Sequence, residues 1–160
     1  IMPSLVGSEM CIRDRHKPLS FEILDIDYFK QYNDRYGHQA GDDCVRAIVA
    51  LIRQMESDQI FCARYGGDEF VIIYSGMSAE EVCERAEKLR QDVMALQIEQ
   101  RYAEGSFGVT ISQGICHDIP SNGNKNWDFL HVADQALYRV KRRGRNRLCM
   151  TDIHGREIEV

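Results

Sequence analysis

Two apolar runs of strand length, Ile60 to Tyr65 and Phe70 to Tyr74, are separated only by Gly66-Gly67-Asp68-Glu69. So short a polar break obliges the chain to double back as an antiparallel hairpin. Two adjacent glycines tolerate the positive φ values that tight turns require. The expectation is a tight hairpin carrying two acids at its tip. Acids at hairpin tips commonly do no more than face water, so the turn alone leaves a solvated role and a metal-binding role both open.

The rest of the chain supplies partners for that hairpin. Pro18 to Ile26 is a mostly apolar run bounded by proline, and reads as a strand. Asp27 to Tyr36 places Phe29, Tyr32 and Tyr36 at helical spacing, with Gly37 to stop it. Gly41-Asp42-Asp43 is expected to open a second helix, its two acids at the positive end of the dipole; Val45, Ile48, Val49, Ile52 and Met55 form its apolar stripe. Ser78-Ala-Glu-Glu81 is a capping box ahead of Val82, Ala86, Leu89, Val93 and Leu96. Phe107 to Ile115 reads as a strand and 121–126 as a polar loop. A last helix carries Phe129, Val132, Ala133, Ala136, Leu137 and Val140 and ends near Gly144. Residues 147–160 read as a small edge hairpin about His154-Gly155. Helices grouped on one mixed or antiparallel central sheet, an α/β (α+β) layered single domain, is the predicted class.

Acids also collect at the end of the first strand. In Leu24-Asp25-Ile26-Asp27, alternation turns Asp25 to the face opposite Leu24 and Ile26. A carboxylate at an apolar strand end costs several kcal/mol unless it is paired or binds a cation. Hard divalent ions take oxygen ligands, one or two carboxylates plus substrate phosphates. Asp25, Asp68 and Glu69 from adjacent strand ends could hold the two metals of an in-line displacement at phosphorus. Lys141-Arg-Arg-Gly-Arg145-Asn-Arg147 sets five basic side chains in seven residues at a helix end. This suits a phosphate clamp, a dipole-stabilised helix terminus or a nucleic-acid patch. Lys30 is placed to approach the same phosphates. Asn33 and Asp42 could together satisfy a guanine edge, or serve as ordinary capping and turn residues.

Bulk properties narrow the choice. A net charge of −5 opposes a general nucleic-acid binder, so an anionic substrate needs a local positive pocket or metal ions. Six scattered cysteines without a C-x-x-C pair suit buried thiols in a reducing cytoplasm rather than a zinc or redox motif. No apolar run approaches a membrane span, and no membrane contact by the domain is expected. Residues 1 to about 15 lack either periodicity and resemble translated sequencing-adapter read-through, a leader expected to carry no selected structure and to be the least ordered part of the chain. The domain proper is then 16–160.

Eight short stretches, in order, resemble the GGDEF family of diguanylate cyclases. They are Leu24 to Lys30, Asn33-Asp34, Tyr36 to His38, Gly41-Asp42, Arg64 to Phe70, Ser112 to Gly114, Ala133 to Tyr138 and Lys141 to Asn146. The resemblance implies a fold like nucleotidyl cyclases and polymerase palms. It implies condensation of two GTP into cyclic di-GMP with loss of pyrophosphate, in a head-to-tail homodimer in which each 3′-hydroxyl attacks the other nucleotide's α-phosphorus. By position, Asp25 and Asp68 resemble metal ligands for two Mg²⁺ or Mn²⁺ ions, with the Ile26 carbonyl assisting. Glu69 looks like a metal-contacting or proton-accepting acid. Asn33 and Asp42 look like guanine readers, and Lys30, Lys141 and Arg145 like phosphate contacts. Gly66 and Gly67 would let the backbone lie close to the nucleotide. A catalytically weak GTP- or cyclic di-GMP-binding module is the alternative.

Two departures qualify the resemblance. The family's usual upstream D-x-L-T-x-L-x-N-R-R helix is not found, its place being taken by the leader, so apolar surface is expected to be exposed and GTP held less well. The family's R-x-x-D product-inhibition site falls on Ser57 and Ile60, so no inhibitory site is expected. The native protein is expected to carry an upstream sensory region.

Overall fold

The computed structural model describes residues 16–100, 108–121 and 123–160. The 1–15 segment, Phe107 and Asn122 of the polar loop lie outside them. A five-stranded mixed sheet has the order β2-β3-β1-β4-β5. Its strands are β1 (Leu19–Ile26), β2 (Ile60–Arg64), β3 (Glu69–Ser75), β4 (Ile111–Asp118) and β5 (Leu148–Thr151). Helices α1 (Phe29–Tyr36) and α2 (His38–Arg53) follow β1, α3 (Ala79–Ala95) follows β3, and α4 (Asn126–Arg142) joins β4 to β5. β1 is the central strand, buried along its whole length and antiparallel to both β3 and β4.

Alternation along β1 sorts its side chains between two cores. Leu24 and Ile26 pack with Ile72, Ile115, Ile48, Ile52, Val82 and Leu89 on one side. Leu19, Phe21 and Ile23 pack with Val71, Ile73, Phe129, Ala133 and Leu137 on the other. Asp25 therefore belongs to the α4 side, the face expected for it. α4 lies directly on β4 because Gly114 has no side chain: a Cβ there would come within 2.2 Å of the Leu137 amide nitrogen.

The capping box at Ser78 forms in full, Glu81 N–H donating to Ser78 Oγ (3.2 Å) and Ser78 N–H to Glu81 Oε2 (2.8 Å). Three expectations need correction. α2 starts at His38, one turn earlier than Gly41, because the Gly41 amide already donates to the Gly37 carbonyl (3.1 Å). Asp42 and Asp43 thus lie beyond the first turn, and Asp43 pairs with Arg46 (3.1 Å) instead. β4 runs on to Asp118. The C-terminal hairpin turns about His154-Gly155 as expected, but on the edge of β5 away from β4 it forms one bridge, Thr151 with Glu157, flanked by bonds from the Asp152 amide to the Arg156 carbonyl (2.8 Å) and from the Ile158 amide to the Met150 carbonyl (2.9 Å), rather than a second full strand.

Candidate functional site

The ends of β1, β3 and β4 converge at one sheet edge: Asp25 sits opposite Glu69 on one side and Ser112 on the other. Its carboxylate is nearly buried. Oδ2 forms an ion pair with Lys141 Nζ, brought over from the end of α4. Oδ1 is buried with no hydrogen-bond partner. Burial pushes the Asp25 carboxyl up to about 6; Lys141 pulls against this, and Asp68, close enough to share a hydrogen bond, adds to it. Burial and the Asp25 charge likewise raise Glu69. The Ile26 amide donates to the Asp68 carbonyl (3.1 Å), tying the hairpin tip to the end of β1.

The hairpin loop has the four-residue length that the sequence implied but lies one residue earlier, at 65–68. Tyr65 and Gly66 amides both donate to the Glu69 carbonyl (2.8 and 3.1 Å), so the loop spans four residues. Neither Gly66 nor Gly67 has a positive φ, which corrects the reason given for their presence. A longer loop closes without left-handed residues. What distinguishes them is space: nothing lies within 4 Å of a Cβ built on Gly67, and only Glu69, at 3.6 Å or more, near one on Gly66. Arg64, which composition and spacing gave no reason to single out, holds the loop by donating to the Gly66 and Gly67 carbonyls (3.0 and 2.5 Å).

Arg145 joins the same edge. Its guanidinium lies 4.5 Å over the Tyr28 ring and donates to Tyr28 Oη (3.3 Å) and the Lys141 carbonyl (3.5 Å). Asp25, Asp68, Glu69 and Lys141 therefore form one cluster, and Arg145 adjoins it through the Lys141 carbonyl. Lys30 is exposed on the first turn of α1 and is not bonded to these groups.

Asn33 and Asp42 belong to a second cluster, between α1 and α2. Asn33 Oδ1 is buried without a partner. It lies so close to Gly41 that a Cβ there would meet it at 1.8 Å. Asp42 follows on α2 and is exposed. The contact with Asn33 requires Gly41, though the sequence marked it only as a helix start.

Asp27 was passed over as a functional candidate. It is buried, at 3% exposure, and accepts from Ser112 Oγ (2.6 Å), Thr110 Oγ1 (2.7 Å) and the Asn146 amide (3.1 Å). The signal was its place in the Leu24 to Lys30 stretch; its partners are more than eighty residues away, beyond any local pattern.

Among the described residues, no three His, Cys, Asp or Glu side chains form a ready-made metal cage. The Asp25–Asp68 pair, with its orphaned oxygen, fits a Mg²⁺-like ion completed by substrate phosphates, the usual arrangement for so hard and strongly hydrated a cation.

The family model described as "Diguanylate cyclase, GGDEF domain" matches residues 6–147. The chain belongs to the GGDEF family. Similar proteins include a diguanylate cyclase of Vibrio cholerae, 37% identical over 145 residues, covering 84% of this chain and 40% of that protein. Diguanylate cyclase DosC of Escherichia coli is 33% identical, covering 92% of this chain and 32% of its own length. The GGDEF chain thus spans roughly a third to two-fifths of such relatives. Among solved structures, the GGDEF domain of DgcB from Caulobacter crescentus, in complex with c-di-GMP, superposes with a TM-score of 0.78 at 31% identity, over 92% of this chain and 84% of that one. The active GGEEF domain of a Vibrio cholerae diguanylate cyclase gives 0.73 at 33%, over 90% and 88%. The GGDEF fold expected from the motifs is the fold observed. No helix among the described residues is long and apolar enough to cross a membrane.

Proposed function

We propose that this GGDEF domain is a diguanylate cyclase, converting two GTP into cyclic di-GMP and two pyrophosphates. The observation that carries the reading is the buried Oδ1 of Asp25, which has no donor although Oδ2 is paired with Lys141 and the Asp68 carboxylate lies close by. An uncompensated carboxylate oxygen is costly in a folded core, and a divalent cation is the partner that best removes the cost.

Asp25 and Asp68, with the Ile26 carbonyl, would hold Mg²⁺ or Mn²⁺, two ions per site. The bound cations would supply charge stabilisation to the transferring phosphoryl group and lower the pKa of the attacking hydroxyl. In each of two condensations a 3′-oxygen bonds to an α-phosphorus while the bond from that phosphorus to pyrophosphate breaks. Glu69, whose raised affinity for protons comes from burial and Asp25, is positioned as an acceptor for the hydroxyl proton. Lys141 offsets Asp25 in the nucleotide-free domain and is free to turn to the triphosphate once a cation sits on that carboxylate. Arg145 and, after a side-chain swing, Lys30 complete the phosphate contacts; Asn33 and Asp42 read guanine. The open side of Gly66 and Gly67 leaves room for nucleotide against the backbone. Phosphoryl chemistry is mostly positioning plus charge stabilisation, and these groups provide both.

Each domain would hold one GTP, so catalysis needs two copies head to tail, acting where GTP is available in the cytoplasm. Ser57 and Ile60 bond to each other's backbone in the turn before β2, and no product-inhibition site is proposed there.

Incubation with GTP and Mg²⁺ tests the reading. Cyclic di-GMP should form at a rate rising more steeply than linearly with domain concentration, and Asp68→Ala should abolish it. GTP that binds without turnover would instead identify a nucleotide-binding signalling module.

A further inference from the structure

We infer that Asp27 is a positioning residue for the phosphate clamp, holding the Arg145–Asn146 turn in the one conformation that sets Arg145 beside Lys141. The inference rests on the reading of Lys141 and Arg145 as triphosphate contacts. Asp27 itself touches no substrate.

The turn after α4 is unusual. Arg145 and Asn146 have φ of 65° and 48°, two consecutive residues with side chains in the left-handed region. Such conformations persist where the surroundings over-determine them, and they gather at functional sites. Here the surroundings are named. The Asn146 amide is claimed by Asp27 Oδ2 (3.1 Å) and Ser112 Oγ (3.2 Å). The Asn146 side-chain oxygen and carbonyl both accept from Arg90 Nη1 (2.9 and 3.3 Å), and Arg90 is itself held by Glu87 (2.6 Å). Asp27 is fixed in turn by the hydroxyls of Thr110 and Ser112, and its amide donates to the Thr110 carbonyl (2.9 Å).

Asp27 also directs the turn by a second route. The next residue, Tyr28, is itself left-handed at φ 55°, and its ring is the one under the Arg145 guanidinium. One short segment therefore grips the Arg145 turn through its backbone and gives the guanidinium a surface to rest on. Burial of Asp27 makes this grip rigid: three donors meet it inside the domain, where water cannot substitute for them.

The probe is GTP with a methylene group in place of the α–β bridging oxygen, which binds but cannot lose pyrophosphate. Its affinity is measured by calorimetry with Mg²⁺ for the unmodified domain, Asp27→Asn, Arg145→Ala and the double variant. Each single change is expected to weaken binding about tenfold, the scale of one charge-assisted contact. The double variant should be weakened about tenfold too, not about a hundredfold, because both changes remove the same contact. Losses that multiply, or full affinity in Asp27→Asn, overturn the inference. Full affinity in Arg145→Ala removes the phosphate-clamp reading and the inference with it, a result distinguishable because the single variants are read separately. Should Asp27→Asn fail to fold, Tyr28→Leu leaves the buried bonds intact and is expected to show the same non-additivity with Arg145→Ala; independent losses there count against the inference. Amide exchange at Asn146 should be slow in the unmodified domain and faster in Asp27→Asn; unchanged exchange also counts against it.

Discussion

Glu22 and Asp25 stand three residues apart on the same central strand, both buried, both with carboxyls pushed upward by burial, Glu22 to about 7 and Asp25 to about 6. Their surroundings are opposite. Glu22 lies on the side of α2 and α3, where Oε2 accepts from Tyr74 Oη (2.6 Å) and Oε1 from Gln113 Nε2 (2.7 Å). Gln113 is anchored further by donating to the Ala86 carbonyl of α3 (3.0 Å). Asp25, on the α4 side, has one oxygen on Lys141 and the other without a donor, with only the Asp68 carboxylate near it. Both carboxyls titrate abnormally, so a raised pKa does not tell a core residue from a site residue. What separates the two acids is the donors around them: both Glu22 oxygens have one, and one Asp25 oxygen has none.

The sharpest way to break this contrast is through turnover. Asp25→Asn keeps the shape but loses the charge that would hold a cation. It is expected to lower kcat for cyclic di-GMP formation about 10³-fold, equivalent to about 4 kcal/mol. Glu22→Gln should stay within about threefold of the unmodified domain, since an amide can replace the carboxyl in the same network. Comparable losses in both would mean that the two acids are one system.

Stability should reverse the order. At about pH 5, where Glu22 is mostly protonated, Glu22→Ala strands the Tyr74 hydroxyl and a Gln113 N–H and leaves a void; urea unfolding should show a loss of about 3 kcal/mol. Asp25→Asn measured without divalent cation should change stability by less than about 1 kcal/mol, or raise it, because it removes a charge whose burial the fold does not fully compensate.

A third test uses pH. Glu22 ionises at about 7 when folded and at 4.5 otherwise, so between these values the folded state binds more protons than the unfolded one. Stability from this group is therefore fully present below 4.5, and falls as pH rises towards about 7. The total is on the order of 3 kcal/mol. Glu22→Gln should flatten the profile between about pH 6 and 7, while the slope below about 6, to which the raised Asp25 carboxyl contributes, stays; a profile unchanged by Glu22→Gln would assign the whole slope to other groups. The smallest effect is expected for Tyr74→Phe, which removes one of the donors to Glu22. Unfolding should register about 1 kcal/mol and turnover should be unaffected.

Much of this was legible in the linear chain. The hairpin acids, the alternation that turns Asp25 from Leu24 and Ile26, the Ser78 capping box and the inward stripe of α4 are all local patterns, and each held. What failed turned on backbone choices that the local residue pattern leaves open. The early start of α2 depends on a Gly37–Gly41 bond that a cap-like Gly-Asp-Asp conceals. The glycines of the hairpin take no positive φ, a backbone choice that a Gly-Gly pair leaves open.

The sequence by itself determined the family and the cast of charged groups, since ordered motifs and periodicities are properties of neighbours along the chain. Which acid is satisfied and which is orphaned was decided only by the tertiary structure. That outcome depends on donors from β3, β4 and α4 that lie tens of residues from the carboxylates they meet. A buried carboxylate's chemistry is fixed by its few nearest donors, and packing alone chooses those. The same holds for Asp27: its three donors arrive from β4, from the segment ahead of it and from the turn after α4, and no pattern around residue 27 announces them.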